Sequence, residues 1–499
     1  MRSFEVAKID RSTLSADHQH YVYNGLDAAI TLEVLHVLRN DCRPYAHAPY
    51  LLARQLQAPA IEMMLRGVLV DPFRVKDWQH QLNTKKAKLQ SQLDFLALAD
   101  WNRPLNPNSP AQLKEFFYVH HRLPEQHKFD KGTRKVSTDQ TCLDKLTGFV
   151  HVRPFISHIR AIRDCIKKLG VLNTGIDKDS RMRAAFNIAG TETGRWSSSS
   201  GAYGSGTNLQ NITEELRRVF WADPGYKLAY IDLEQAESFL VGGLVYESVG
   251  DPSYLNACES GDLHTSVAKL IWPGLAWTGD RKADRAVADV LFYLHFSYRD
   301  MAKRGGHGTN YYGQPKTMAK HLKVPVELVV AFQENYFSAF PGIPLWHKHV
   351  KQQLQLTGYI ETPFHRGRHF FERLTDDATL REAIAFNPQS SIGDLLNTAL
   401  LYVWRKHRNV QILIQVHDAI LIQYPEEQED EIIPAVQKTM DIPLRFKDRE
   451  VHILTEAAIG WNWSYASATN PDGLKKWKGH DSRVRTESPS ASLLDRQFL

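Results

Sequence analysis

Two acidic residues stand at strand ends inside apolar surroundings, Asp232 in YIDLEQ and Asp418 in QVHDAI. A carboxylate in such company is costly unless it is paired or bound to a cation. If the two converged, they would make an oxygen-rich site suited to Mg²⁺, which binds through a few carboxylates plus substrate phosphates. Taken singly, each reads more readily as a turn residue or an ion-pair partner, and the sequence by itself does not set them side by side. A second group is cationic. Arg299, Lys303, His307 and Tyr311 are spaced by four, so on a helix they form one slowly drifting stripe. Two cations suit a polyphosphate, and the aromatic bulk beyond them suits a base or sugar. A solvated basic face is the plainer reading of the stripe alone.

These groups need elements to hold them. Lys227 to Leu233 (KLAYIDL) is apolar, has a β-branched member and follows Pro224-Gly225, which predicts a buried strand. Val410 to Tyr424 predicts a hairpin with His417-Asp418 at its tip. Between them, Phe239 to Asn397 reads as a long helical region. Gly305, Gly306 and Gly308 cost a helix there about 1 kcal/mol each relative to Ala. Either close packing compensates, or the helix begins later and bends. Nearer the start, Leu51 to Leu69 has helical spacing closed by Gly67 and Asp71-Pro72, and Ser109 is placed to cap a helix opening at Pro110. Phe129 to Thr141 reads as a solvated loop, and the Gly/Ser-rich stretch Thr193 to Gly206 as a functional loop or linker.

The 499 residues suffice for about three domains. With 43% hydrophobic and 23% charged residues, collagen-like, mucin-like and largely disordered classes drop out. No stretch approaches the ~18 uninterrupted apolar residues of a membrane span, and the opening MRSFEVAKID offers no apolar signal core. Cys42, Cys142, Cys165 and Cys258 form no CxxC pair and read as reduced thiols of a cytoplasmic protein. The net charge of +5 is unevenly spread. Arg74 to Lys168 carries 18 Lys and Arg against 9 Asp and Glu, which leaves the rest slightly acidic. A basic segment of this kind suits a polyphosphate partner such as nucleic acid, and equally a solvated helix face.

Thr193-Gly194-Arg195, followed by Asn208-Leu209-Gln210-Asn211-Ile212, resembles the TGR…NLQNI segment of family A (DNA polymerase I-like) DNA polymerases. Tyr230 to Glu237 resembles that family's motif A, Arg299-x-x-x-Lys303 with Tyr311 its motif B, and Gln415-Val416-His417-Asp418 its motif C. Order and strand context agree from Leu51 to Trp463, and four motifs in order are strong where any one is weak. The resemblance implies an α+β, right-hand polymerase with an antiparallel palm sheet, helical fingers and a helical thumb. On that plan residues 1–45 are the remnant of a 3′→5′ exonuclease domain and 46–185 the thumb with its connecting helices. Palm (186–238), fingers (239–380), palm again (381–469) and a flexible tail (470–499) follow.

The implied activity is template-directed addition of dNTPs to a primer 3′-hydroxyl, in DNA replication or repair, with two Mg²⁺ ions. Asp232 and Asp418 would bridge both ions, and the Leu233 carbonyl would add a ligand. Gln235, Glu237, His264, Arg299, Lys303, His307 and Tyr311 would meet the dNTP, with Glu237 excluding the ribose 2′-hydroxyl. Arg195, Asn208, Gln210, Arg381, Gln389 and His417 would touch primer-template DNA. A one-residue insertion would put Tyr312 in place of Tyr311; the Tyr311 register keeps both cations.

The sequence departs from the family in places. His307 stands where Phe or Tyr is usual, Ala385 where Asn is usual, and Ala419 where an accessory Glu is usual. Tyr23-x-x-x-Asp27 resembles the last motif of the proofreading exonuclease, and the 22 residues before it lack the earlier carboxylate motifs. The expectation is a polymerase without intrinsic proofreading, bacteriophage-like in its HGTNYYG segment, and cytoplasmic (in the host cytoplasm if viral). A separate exonuclease chain or a processivity factor would be its protein partner; Leu493 to Leu499 offers a docking segment for the latter, and reads more readily as a frayed terminus. The alternative is a catalytically impaired DNA-binding replication component.

Overall fold

The computed structural model describes residues 13–41, 44–130, 133–201 and 204–479. Its centre is a five-stranded antiparallel sheet of β1 (Tyr226–Leu233), β2 (Gln411–Val416), β3 (Ala419–Pro425), β4 (Thr455–Gly460) and β5 (Lys475–Lys476), in the order β2-β3-β1-β4-β5. The expected strand and hairpin are therefore both present, and β1 lies in the middle. Its register is fixed on both sides: Asp232 faces Ala419 across β3 and Glu456 across β4. Alternation along β1 puts Ala229, Ile231 and Leu233 on one buried face and Tyr230 and Asp232 on the other.

Helices cover this sheet and extend from it. In chain order the ones used below are α1 (Pro72–Trp101), α2 (Arg153–Leu172), α3 (Ala236–Val249), α4 (Leu263–Ile271), α5 (Tyr298–Asn310) and α6 (Asp377–Lys406). Residues 390–401 of α6 are buried on every face, and the helix packs against α3, so it forms the axis of the main core. Pro388 lies inside α6, where it removes one backbone donor.

The basic segment is built on α1 packed along α2. Asp71 caps α1 by accepting from the Phe73 and Arg74 amides, and Ser109 caps the Pro110 helix through the Gln112 amide, as its position predicts. A second hydrophobic cluster, including Leu93, Phe116, Phe117 and Ile159, closes the far end of this unit.

Local structure corrects the sequence reading at four places. The Leu51–Leu69 pattern splits: the helix stops at Arg66, and Val68–Val70 is a strand paired with Arg181–Met182 and Phe220–Trp221. Gly67, at φ +63°, makes the break, since a Cβ there would sit 2.6 Å from Arg183 Cγ. The stretch read as a solvated loop forms a ribbon, His127–Asp130 with Thr133–Val136, solvated but backbone-paired. Ser197–Ser200 likewise pairs with Ala184–Asn187, because sheet pairing uses backbone groups whatever the side chains. Residues 470–479 belong to the body, not to a flexible tail: Asn470 and Leu474 are buried and β5 pairs with β4. Leu493–Leu499 lies outside the described residues. Tyr23 and Asp27 share one face of the exposed helix Ala16–Asp41.

Candidate active site

Asp232 is the penultimate residue of β1, and Asp418 is the second residue of the two-residue turn between β2 and β3. The Leu233 amide donates to the Asp418 carbonyl at 3.2 Å, so the turn is tied to the end of β1 and the two carboxylates share one site. His417 holds φ +54°, a left-handed conformation that costs a non-glycine residue about 1–2 kcal/mol. A buried relay braces this turn. The Gln210 amide donates to the Gln415 carbonyl (3.0 Å) and to Gln415 Oε1 (2.9 Å), and Gln415 Nε2 donates to the His417 carbonyl (3.1 Å). Gln210 thus faces inward, onto the turn that carries Asp418. Asn208 supports it by accepting from the Gln210 backbone N–H at 3.0 Å.

Burial pushes the Asp232 carboxyl up to about 7, and the negative charges of Asp418, Glu456 and Glu234 push the same way. Glu456 is a member that sequence reasoning missed. Only the β1–β4 register brings it opposite Asp232, and nothing local in LTEAAIG signals that pairing. It also forms an ion pair with Lys476. The donor set fits a hard divalent ion: carboxylate oxygens, mutually repelling, at a sheet end beside the Leu233 backbone. Ala419 packs with zero exposure in β3, so the side chain at that position faces protein rather than solvent.

Glu237 lies in the first turn of α3, just past Gln235, which caps the helix at φ +55°. Its carboxylate meets Arg195 Nη2 at 3.2 Å and His307 Nδ1 at 3.4 Å. Tyr311 closes the group, with its ring 4.9 Å from that of His307. Burial and the Glu237 charge both raise its hydroxyl above the usual phenol range. Tyr312 turns away to pack on His347 at 5.4 Å, so Tyr311 is the tyrosine that faces the site. Arg195 is held by its neighbour. Gly194, at φ +74°, lies against the Arg366 guanidinium, where a Cβ would come within 2.6 Å of Arg366 Cζ. Arg366 in turn is fixed by the buried Asp394, at 2.6 and 2.8 Å.

Arg299, Lys303 and His307 lie on α5, and Tyr311 is the residue that caps its end. Close packing, rather than a bend, answers its glycines: Cβ atoms at Gly305 and Gly308 would meet Phe332 at 2.7 Å and Met318 at 2.8 Å. The helix end is fastened by Asn310, which bonds Tyr254, Tyr336 and His347 and gave no signal in the sequence. Arg299 bonds Asp262 Oδ1 at 3.1 Å. Burial holds His264 down to about 4, and the cations Arg299 and Lys303 add to that effect. His264 is therefore a neutral donor in a positive field. Arg381 and Gln389, one on each side of Ala385, line an open cleft on α6 together with His307 and Tyr311.

The described residues contain no helix long and apolar enough to cross a membrane. Residues 74–465 match the family model described as DNA polymerase family A. The chain is 27% identical over 425 residues to a thermostable DNA polymerase I of Thermus thermophilus, covering 80% of this chain and 46% of that protein. It is 26% identical over 408 residues to DNA polymerase I of Aquifex aeolicus, covering 79% and 64%. The chain thus spans about half the length of the Thermus relative. Among solved structures, the POL domain of Pol1 from M. smegmatis, in complex with DNA primer-template and dNTP, superposes with a TM-score of 0.67 at 24% identity. That superposition covers 82% of this chain and 69% of the M. smegmatis chain, a likeness of fold. With the match running through the sheet, the α5 helix and the carboxylate turn, this chain belongs to DNA polymerase family A.

Proposed function

We propose that the chain extends a DNA primer along a template by adding dNTPs, with two Mg²⁺ ions at the end of the central sheet. The observation that carries this reading is that Asp232 and Asp418 lie at the same end of the central sheet, where burial first, and then the charges of Asp418, Glu456 and Glu234, raise Asp232 to about 7. A divalent pair offsets that repulsion and, when bound, supplies Lewis acidity to the primer 3′-hydroxyl and the triphosphate. Asp232 and Asp418 hold the pair, with the Leu233 carbonyl beside them. On the right-hand plan this sheet is the palm, α5 belongs to the fingers, and α1 with α2 form the thumb.

The remaining roles are those that the resemblance to the family implies. Arg299 and Lys303 face the triphosphate, and His264 adds an uncharged hydrogen bond. Glu237, fixed between Arg195 and His307, stands where a bulky carboxylate excludes a ribose 2′-hydroxyl. Gln235 lies beside it at the head of α3, and Tyr311 walls the base. Arg381 and Gln389 reach the primer-template minor groove from α6, where degenerate acceptors report pair shape rather than sequence. His417 and Arg195 lie toward the primer end. Asn208 and Gln210 act from behind by bracing the turn.

An impaired DNA-binding remnant would rest on His307, Ala385 and Ala419. The intact carboxylate cluster favours the enzyme. Extension of a labelled primer on templates of different sequence, with Mg²⁺ and dNTPs, tests the proposal. Products that follow the template support it; binding of primer-template without any extension sinks it.

A further inference from the structure

We propose that Asp100, His120 and His121 form a transition-metal site, with Zn²⁺ as the first choice, at the far end of the basic helical unit. Asp100 is the next-to-last residue of α1. His120 ends the π-helical turn Glu115–His120, and His121 caps it through its amide to the Phe116 carbonyl. In a regular α-helix, neighbouring residues point about 100° apart. Here both rings turn onto one carboxylate: Asp100 Oδ2 lies 2.8 Å from His121 Nε2 and 3.6 Å from His120 Nε2. One ligand atom from each of the three residues lies within 4.8 Å of the others. Zinc bonds of about 2.0–2.2 Å place neighbouring donors of a tetrahedron about 3.3 Å apart. The two distances bracket that edge.

His121 Nε2 is buried against the Asp100 carboxylate, 2.8 Å away, so a metal ion would take the place of the proton between them. The surroundings hold the rings in place: Phe116 stacks on His120 at 5.9 Å and meets His121 edge-on at 4.6 Å. His151, from the turn before α2, packs its ring 5.3 Å from that of His121, and water would take the fourth position. Two imidazoles with one carboxylate suit Zn²⁺ and its borderline neighbours, whereas Mg²⁺ prefers oxygen donors. A bound ion would fasten the end of α1 to the π turn and stiffen this end of the unit.

The test uses the full chain in excess Mg²⁺, which occupies the sheet-end carboxylates. Zn²⁺ content after gel filtration and the visible spectrum with Co²⁺ are read for wild type, His120→Gln, Asp100→Asn and Asp232→Asn. Asp100 and His120 are each about one-third exposed, so their variants keep the fold. The expectation is one Zn²⁺ per chain and an intense tetrahedral Co²⁺ band. Both should survive in Asp232→Asn and be weakened at least about a hundredfold in the other two. Zn²⁺ should also raise the melting midpoint of wild type and leave His120→Gln and Asp100→Asn unmoved. Uptake that is absent from wild type, equal in all four proteins, or lost only in Asp232→Asn overturns the proposal.

Discussion

The carboxylate cluster has a stability consequence that can be read without any enzymatic assay. Asp232 rises from an ordinary 3.8 to about 7, chiefly because it is buried and next because Asp418, Glu456 and Glu234 repel its charge. Between those two values the folded chain keeps a proton that the unfolded chain has released. The Asp232 contribution to stability therefore falls as pH rises, and the whole cost is present above about pH 7. At about 1.4 kcal/mol for each pH unit between the two values, the ceiling is about 4 kcal/mol. Relaxation of the hairpin and entry of water lower this to about 2–4 kcal/mol. Asp232→Asn cannot ionise and escapes the cost. Denaturant unfolding in EDTA, followed by Trp fluorescence, should find the variant equal to wild type near pH 4 and more stable by that amount at pH 8. Millimolar Mg²⁺ should shrink the gap at pH 8, because the ion binds the folded wild type. A difference that stays flat from pH 4 to pH 8 would refute the argument for a strained carboxylate cluster.

Glu456→Gln removes one of the repelling charges, so the acid limb of the extension rate should move to lower pH by less than about one unit, with weaker Mg²⁺ dependence of the rate. Gly305→Ala drives a methyl into Phe332 and should cost about 1–3 kcal/mol in a melting experiment, although alanine is the better helix former. Gln210→Ala leaves the Gln415 groups short of a buried partner. It should lower stability by about 1–3 kcal/mol and slow extension together, since the turn carrying Asp418 loosens. Glu237→Ala should raise ribonucleotide use relative to deoxynucleotide use, measured as the ratio of kcat/KM values for the two.

The elements that hold the site are written locally. An apolar run ending in Asp232 and a pair of runs around His417-Asp418 can only be buried strands, and they are. Helical spacing sets Arg299, Lys303 and His307 on one face, and the helix ends just before Tyr311. What the sequence conceals depends on pairing between distant segments. Glu456 joins the cluster because β4 lies in one register against β1, and a shift of one residue would turn it to the other face. The inward turn of Gln210 and the hold of Arg366 on Gly194 depend on contacts between segments far apart in the chain. The glycines of α5 look like weaknesses until Phe332, Tyr336 and Met318 are seen against them. Ser197–Ser200 escaped for a different reason: its pairing uses backbone groups that every sequence has.

Single-turnover incorporation by Asp232→Asn and Asp418→Asn, with primer-template affinity measured on the same samples, tests the central claim most directly. The account predicts that both variants bind DNA about as well as wild type and incorporate at least about a hundredfold more slowly at saturating Mg²⁺. Incorporation at the wild-type rate by either variant would contradict it, because the carboxylates would then hold no ion that the chemistry uses.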